Sequence, residues 1–247
     1  MRKPEVSVVI PAYNCTDTIE QAIESVLIQK ENTEILIVDD CSSDGLKERL
    51  EDYISDGRVK YVRNEKNQRV AYTRNRGVSL AEGEYVAFLD ADDWWEPGKL
   101  SAQLKAIKET GAVLCCTSRR LHTHEGTAKN KVIGVKEKIT YRDLLYHNSI
   151  ACSSVLVKTS AAKEFPMGND ECHEDYICWL QILKKYGFAC GLSHPYLNYR
   201  LSRGSKSRNK WKSAKMTWQV YRLMGLPLIQ RLYYFAFYAV HGVIKYI

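Results

Sequence analysis

Three short runs of apolar, largely β-branched residues each break off into a polar, mostly acidic group. That repeated pattern restricts the fold more than anything else in the chain. Val6-Ser7-Val8-Val9-Ile10 ends at Pro11-Ala12-Tyr13-Asn14, Glu34-Ile35-Leu36-Ile37-Val38 ends at Asp39-Asp40, and the run 84–89 ends at Asp90-Ala91-Asp92-Asp93. Short, uniformly apolar runs suit strands buried on both faces of a parallel sheet. Helical spacings lie between them. Ile19, Ala22, Ile23, Val26 and Leu27 share one helix face, with Asp17 and Glu20 spaced as a capping box. Cys41-Ser42-Ser43-Asp44-Gly45 is a loop of turn formers that feeds a charged helix over 46–53. A strand over 59–62 and a helix over 70–81 follow. Pro97 suits the first turn of a helix with Leu100, Leu104 and Ile107 on its apolar face, and a fifth strand is expected over 112–117. This alternation over 5–117 predicts an α/β fold, a mostly parallel central sheet flanked by helices.

Beyond residue 117 the pattern loosens. The stretch 118–150 is rich in Lys, His and Thr, and a flexible segment is expected around 122–137. A strand over 153–157 follows. A polar segment over 169–175 leads into a helix over 175–186, then comes an extended run over 188–199. A basic, Ser-rich stretch covers 200–215, and 226–247 is apolar and aromatic. A division at about residue 210 is expected, with 1–117 and 118–210 as the two halves of the larger unit and 211–247 as a basic, helical C-terminal extension.

In open α/β sheets ligands bind beyond the carboxyl ends of the strands, so the three polar ends should converge on one rim. A helix cap could use a single Asp, and Asp44 and Asp93 fit that use. The doublets fit it less well, because one cap needs only one carboxylate. Asp90 and Asp92 on one turn can hold a hard divalent cation that keeps open positions for phosphate oxygens. A cradle of backbone amides lacks its sequence here, since neither a P-loop nor GxGxxG is present. A metal-bridged diphosphate is therefore the better expectation. Trp94-Trp95 follow the acidic turn, and one ring could border a sugar while the other packs in the core. His122 and His124 lack two further ligands for zinc, and His173 reads as an exposed loop residue.

Charge is unevenly spread. The chain carries +7, yet beyond Asp175 it has twelve Lys and Arg and no acidic residue, which leaves −5 for the first 175 residues. Such asymmetry implies different partners for the two parts. No run of about 20 apolar residues could span a bilayer, but Leu232-Tyr233-Tyr234-Phe235-Ala236-Phe237-Tyr238-Ala239-Val240 amid basic residues suits an interfacial helix. A membrane-surface contact through 200–247 is expected, with packing on the larger unit or a homodimer as the alternatives. The eight cysteines include Cys115, Cys116, Cys178 and Cys190 in apolar segments, without metal-site spacing. They read as reduced thiols. No secretory leader is seen at Met1-Arg2-Lys3-Pro4-Glu5. A cytoplasmic protein, peripheral on the inner face of the membrane, is the expectation.

Five segments in order carry a family resemblance. They are 6–14, Ile37-Val38-Asp39-Asp40-Cys41-Ser42-Ser43-Asp44-Gly45, Arg74-Asn75-Arg76-Gly77, Phe88-Leu89-Asp90-Ala91-Asp92-Asp93 and Glu174-Asp175. Over about residues 5–210 the chain resembles the family-2 inverting glycosyltransferases of bacterial polysaccharide and glycolipid synthesis. The resemblance implies the GT-A fold. It implies that Pro11, Ala12 and Tyr13 line the nucleotide of a UDP-type sugar donor, with Tyr13 stacking. Asp40, or the adjacent Asp39, would accept from the base, and Arg74 would lie near the base or diphosphate. Asp90-Ala91-Asp92 would be the DxD element, with Asp92 first among the ligands of Mn2+ or Mg2+. Asp175 would be the general base toward a hydroxyl of a saccharide or lipid-linked acceptor, with Glu174 beside it. One departure stands out. Where many relatives have Tyr-Arg-x-His, this chain has Tyr199-Arg200-Leu201-Ser202, and Arg200, Arg203 or Lys206 could serve the diphosphate instead.

Two other functions compete. A sugar-nucleotide-binding protein without catalysis would leave Asp175 dispensable. A nucleic-acid-binding module would use the basic stretch with Trp211 and Trp218, but the basic residues are confined to one end, no recognised motif is present, and the acidic rim repels phosphates unless a metal is bound. Nucleic acid is therefore not expected as a partner.

Overall fold

Every residue of strand β1 (Val6–Ala12) except Pro11 is buried, and the sheet extends from it in both directions. The structure is a computed structural model that describes residues 3–168, 171–201 and 210–244. In chain order β1 is followed by α1 (Ile19–Leu27), β2 (Thr33–Asp39), α2 (Leu46–Arg49), α3 (Glu51–Ser55), β3 (Lys60–Arg63), α4 (Arg69–Leu80), β4 (Tyr85–Phe88), β5 (Trp94–Trp95) and α5 (Lys99–Thr110). Next come β6 (Leu114–His122), β7 (Ala128–Ile133), β8 (Lys138–Thr140), α6 (Tyr141–Tyr146), β9 (Leu156–Lys158), α7 (Thr159–Glu164), α8 (Glu174–Tyr186), β10 (Phe188–Arg200), α9 (Lys210–Leu223) and α10 (Leu228–Ile244).

The sheet order is β3-β2-β1-β4-β9-β6-β10-β5, with β7 on β6 and β8 on β10. From β3 to β4 all pairs are parallel, as the apolar runs predict. The fifth expected strand, β6, does not join β4. Instead β9 enters between them, antiparallel to both, so the sheet is mixed beyond β4. Alternation along β1 sends Val6, Val8 and Ile10 into a core with Ile19 and Ile23 of α1 and Leu100 and Leu104 of α5. Val9 faces the other way, into a core with Ala71 and Val78 of α4, Phe88, and Trp179 and Leu183 of α8.

Several local expectations change. The Asp17–Glu20 capping box does not form: Thr18 is the N-cap, and its hydroxyl donates to the Cys15 carbonyl at 3.4 Å. Glu20 pairs instead with Arg49. Asp44 caps no helix, because Gly45 at φ 78° is the N-cap of α2 while Asp44 Oδ2 accepts from Thr16 N. The charged helix expected over 46–53 breaks at Leu50 into α2 and α3. Pro97 lies just before α5, whose N-cap is Gly98 at φ 82°. The stretch expected to be flexible is ordered into a β6–β7 hairpin, closed by Gly126 at φ 87° and by Thr123 N donating to Thr127 O. Residues 152–154 form a 3₁₀ turn rather than strand.

Helix α9 is not an appendage in its packing. Met216, Val220 and Tyr221 are buried in the core shared with α8, and the Tyr221 hydroxyl donates to the Leu145 carbonyl at 2.8 Å. Among the described residues no helix is long and apolar enough to cross a membrane. Ser202, Arg203 and Lys206 lie outside the described residues.

Helix α4 approaches β1 closely enough to require a glycine. A Cβ on Gly77 would stand 2.4 Å from Val9 Cγ1 and 3.0 Å from Val9 Cγ2. Gly77→Ala is therefore expected to destabilise the fold by about 1–3 kcal/mol through overpacking, measured by urea unfolding. Gly77→Ala with Val9→Ala should recover part of that loss.

Candidate active site

The polar ends of β1, β2 and β4 meet, as the sheet order requires, at one cleft of about 950 Å³. Pro11, Ala12, Tyr13 and Asn14 line its middle, Asp40 and Arg69 one end, and Asp90, Ala91, Asp92, His124 and Arg200 the other, with Arg74 also in the wall. Tyr13 is 52% exposed, so its ring is available to a planar ligand. Asn14 turns the chain at φ 47°. Its amide N–H donates to Ser42 Oγ and its Oδ1 accepts from Ser43 N, which joins the β1 and β2 loops.

Adjacent residues of a strand point to opposite faces, and this separates Asp39 from Asp40. Asp39 is fully buried away from the cleft, a correction to its expected place at the nucleotide. It accepts from Ser42 N and Oγ, the Tyr61 hydroxyl and Arg63 Nη1, so it fastens β3 and the loop after β2. Asp40 reaches the cleft wall. Its carboxylate accepts from Asn64 Nδ2, Gln68 N and Arg69 N at 2.7–2.8 Å and fixes the entry to α4.

Arg74 was expected near the base or the diphosphate. It is 5% exposed and spans two elements: Nη2 donates to Asp90 Oδ1 at 2.5 Å and Nη1 to Glu174 Oε1 at 2.9 Å. Burial disfavours its charge, but Asp90 and Glu174 more than compensate and hold its pKa well above the usual value. The acidic turn after β4 is thus tied to the start of α8. Glu174 Oε1 is committed to this pair. Asp175 is half-buried beside it, outside the cleft lining, and its Oδ1 accepts from Tyr176 N. Burial, then Glu174, pushes the Asp175 pKa up to about 7.

Burial and the neighbouring Asp90 push Asp92 up to about 6. Two carboxylates that repel each other at a cleft wall suit a divalent cation. Among the described residues no group of three His, Cys, Asp or Glu could hold one. As a pair, Asp90 and Asp92 would suit a divalent cation that takes one or two carboxylates and its remaining ligands from phosphate and water. They do not fit an all-protein cage.

Arg200 is less free for a diphosphate than expected. Its backbone N–H donates to Asp93 Oδ1, Nε to Asp92 O, Nη1 to His124 O and Nη2 to Gln21 Oε1. The guanidinium also sits 5.0 Å from the Trp94 ring centroid, while His122 approaches that ring edge-on at 4.4 Å. Trp95 belongs to the core: it is 2% exposed, its Nε1–H donates to Ser153 O, and buried Lys99 lies over its ring. Asp93, buried at 1% exposure, caps no helix and anchors the Arg200 backbone. His122 is buried between Gly126 O and Asn198 Oδ1. Sequence reasoning passed over Arg69 and Gln21, which stand outside any acidic doublet or strand end, and weighed His124 only as a zinc ligand. The non-glycine left-handed backbone at Arg69 could be seen only in three dimensions.

The sequence profile described as Glycosyl transferase family 2 matches residues 7–162. A Bacillus subtilis (strain 168) protein with the provisional name teichuronic acid biosynthesis glycosyltransferase TuaG is 39% identical over 98% of each chain. The Escherichia coli UDP-Glc:alpha-D-GlcNAc-diphosphoundecaprenol beta-1,3-glucosyltransferase WfgD is 34% identical over 98% of this chain and 94% of its own. Among solved structures, S. aureus TarS 1-349 in complex with UDP-GlcNAc superposes with a TM-score of 0.74 at 20% identity, over 92% of this chain and 69% of that one. The mannosyltransferase PcManGT from Pyrobaculum calidifontis, in complex with GDP-Man and Mn2+, gives a TM-score of 0.66 at 17% identity, over 90% and 64%.

Removing Arg74 strands two carboxylates, one of them buried. Arg74→Ala is expected to cost about 3–5 kcal/mol, toward the lower end because Asp90 keeps contact with water. The measurement is urea unfolding. A loss below 1 kcal/mol would mean that the two ion pairs do not organise the site.

Proposed function

The chain belongs to glycosyl transferase family 2 and has the GT-A fold, and from that premise we propose that it transfers a sugar, with inversion, from a UDP-linked donor to an acceptor hydroxyl. The observation that carries this reading is the meeting of Asp90 and Asp92 with exposed Tyr13 and Asp40 along one cleft. Its length runs from Asp40 and Arg69 past the exposed Tyr13 ring to Asp90 and Asp92, an order that suits the base, ribose and diphosphate of a nucleotide. Tyr13 stacks on the base, Pro11 and Ala12 line the nucleoside, and Asp40 Oδ2, which among the described residues takes the Arg69 N–H alone, accepts a base N–H. Asp92, with Asp90, would hold Mn2+ or Mg2+. Such an ion neutralises the diphosphate and stabilises it as a leaving group.

Asp175 acts as general base. The acceptor oxygen attacks the anomeric carbon from the face opposite the diphosphate, that C–O bond breaks, and the hydroxyl proton passes to Asp175. A base with a pKa near the working pH is the most effective, and burial beside Glu174 brings Asp175 to about 7. Arg74 keeps Glu174 and the acidic turn in one frame. The acceptor is a saccharide carried on a lipid diphosphate, by analogy with the substrate in the name of WfgD.

An acceptor of that kind requires approach to a membrane. Helix α10 exposes Ile229, Leu232, Tyr233 and Phe237, spaced for one apolar face. Every charge beyond Asp175 is positive, which favours an anionic leaflet, here the cytoplasmic one. Deleting α9 and α10 would strip core residues along with this face. The cleaner test is Ile229→Asp with Leu232→Asp, expected to abolish co-sedimentation with phosphatidylglycerol vesicles and leave UDP binding intact.

Asp175→Asn is expected to lower transfer 10²–10⁴-fold with UDP affinity unchanged by calorimetry. The base must be ionised to accept a proton, so kcat/KM should rise with pH through about 7 and then level off. NMR of the product's anomeric configuration checks inversion. Full transfer by Asp175→Asn would reduce the assignment of Asp175 to a structural role.

A further inference from the structure

Three arginines line the cleft, and two of them are committed to the protein. Arg74 spends its guanidinium on Asp90 and Glu174. Arg200 spends its own on Asp92 O, His124 O and Gln21. No hydrogen bond or ion pair among the described residues uses the guanidinium of Arg69, which is exposed in the cleft wall.

Its backbone is unusual as well. Arg69 stands at φ 68°, the left-handed region that favours glycine. The conformation is imposed locally: Arg69 N–H donates to Asp40 Oδ2 at 2.8 Å and to Asn67 Oδ1 at 3.2 Å. A glycine would meet the same demands without strain, so the fold alone gives no reason for an arginine here. Strained positions of this kind persist where the side chain serves a site.

Position decides which part of a ligand the side chain would meet. Arg69 is anchored beside Asp40 at the end of β2, whereas Asp90 and Asp92 follow β4, two strands away across β1. That separation is about 10 Å. The stretch between holds Pro11, Ala12 and exposed Tyr13.

Resting on the reading of this cleft as a nucleotide site, we propose that Arg69 is a base-recognition residue, its guanidinium plane held against the donor's nucleobase across from Tyr13. Guanidinium groups stack on flat aromatic rings and donate in-plane to carbonyl oxygens, and a uracil offers both. The strained backbone is what delivers that group to the rim.

The test compares dissociation constants of uridine, UMP and UDP, with Mn2+ present, for the wild-type chain and for Arg69→Gly and Arg69→Lys. Arg69→Gly should weaken all three ligands by a similar factor, roughly tenfold for a desolvated cation–π contact. Its melting temperature should hold or rise by about 2–4 °C as strain is released. Arg69→Lys keeps the charge and the strain but loses the plane, so it should weaken all three ligands without a gain in melting temperature. Unchanged affinities in Arg69→Gly would overturn the proposal. So would a loss confined to UMP and UDP, which would make Arg69 a phosphate contact, or a fall in melting temperature, which would make it structural. Failure of the wild-type chain to bind any of the three would instead remove the nucleotide reading on which this one rests.

Discussion

One buried guanidinium connects the parts of this molecule that must act together. Arg74 rises from α4 and holds Asp90, from the turn after β4, and Glu174, from the first turn of α8. The first two are neighbours in sequence, but α8 comes from the opposite half of the chain, 100 residues beyond Arg74. A charged pair at the surface would contribute little to such a join. Here the guanidinium is almost fully covered, and losing either carboxylate would leave charge uncompensated in a poorly solvated place. The distance between the acidic turn of the cleft and the carboxylate of Asp175 is thereby set by a rigid connection rather than by loops.

A second set of contacts does the same at the other end. Arg200 leaves the end of β10 and reaches the acidic turn, the β6–β7 hairpin and α1 in one span, while Asp93 fixes its backbone from below. The turn that carries Asp90 and Asp92 is therefore held from both sides. Arg74 offsets one of the two acids, while burial and the neighbouring Asp90 still disfavour the charge of Asp92.

The parallel half of the sheet was legible in the sequence because strands buried on both faces must be apolar throughout. Their polar ends were legible because such ends have few other uses. Where the reading stopped is equally physical. The doublet Asp39-Asp40 could not be resolved, since a one-residue step reverses the face and the partners that distinguish the two, Tyr61 and Arg63 for Asp39 and Asn64, Gln68 and Arg69 for Asp40, come from segments distant in sequence. β9 has three residues, and its place between β4 and β6 comes from pairing, not from local preference. The hairpin 122–133 looked loose because its strand β7 is polar and mostly exposed; its order comes from β6. Trp94 and Trp95 are alike in sequence, yet β5 alternation sends one ring to the core and leaves the other between His122 and Arg200.

The packing of α9 has a bearing on how such enzymes can be recombined. Met216, Val220 and Tyr221 fill part of the core shared with α8, and the Tyr221 hydroxyl donates to the Leu145 carbonyl in α6. A chimera that exchanged only the tail between two relatives would set foreign side chains into that space and lose packing on both sides of the seam. Transplants that carry α6 and α8 together with the tail would keep the seam native. Diversification of the C-terminal helices in this lineage should therefore proceed in step with the half that contains Asp175, as one inherited block.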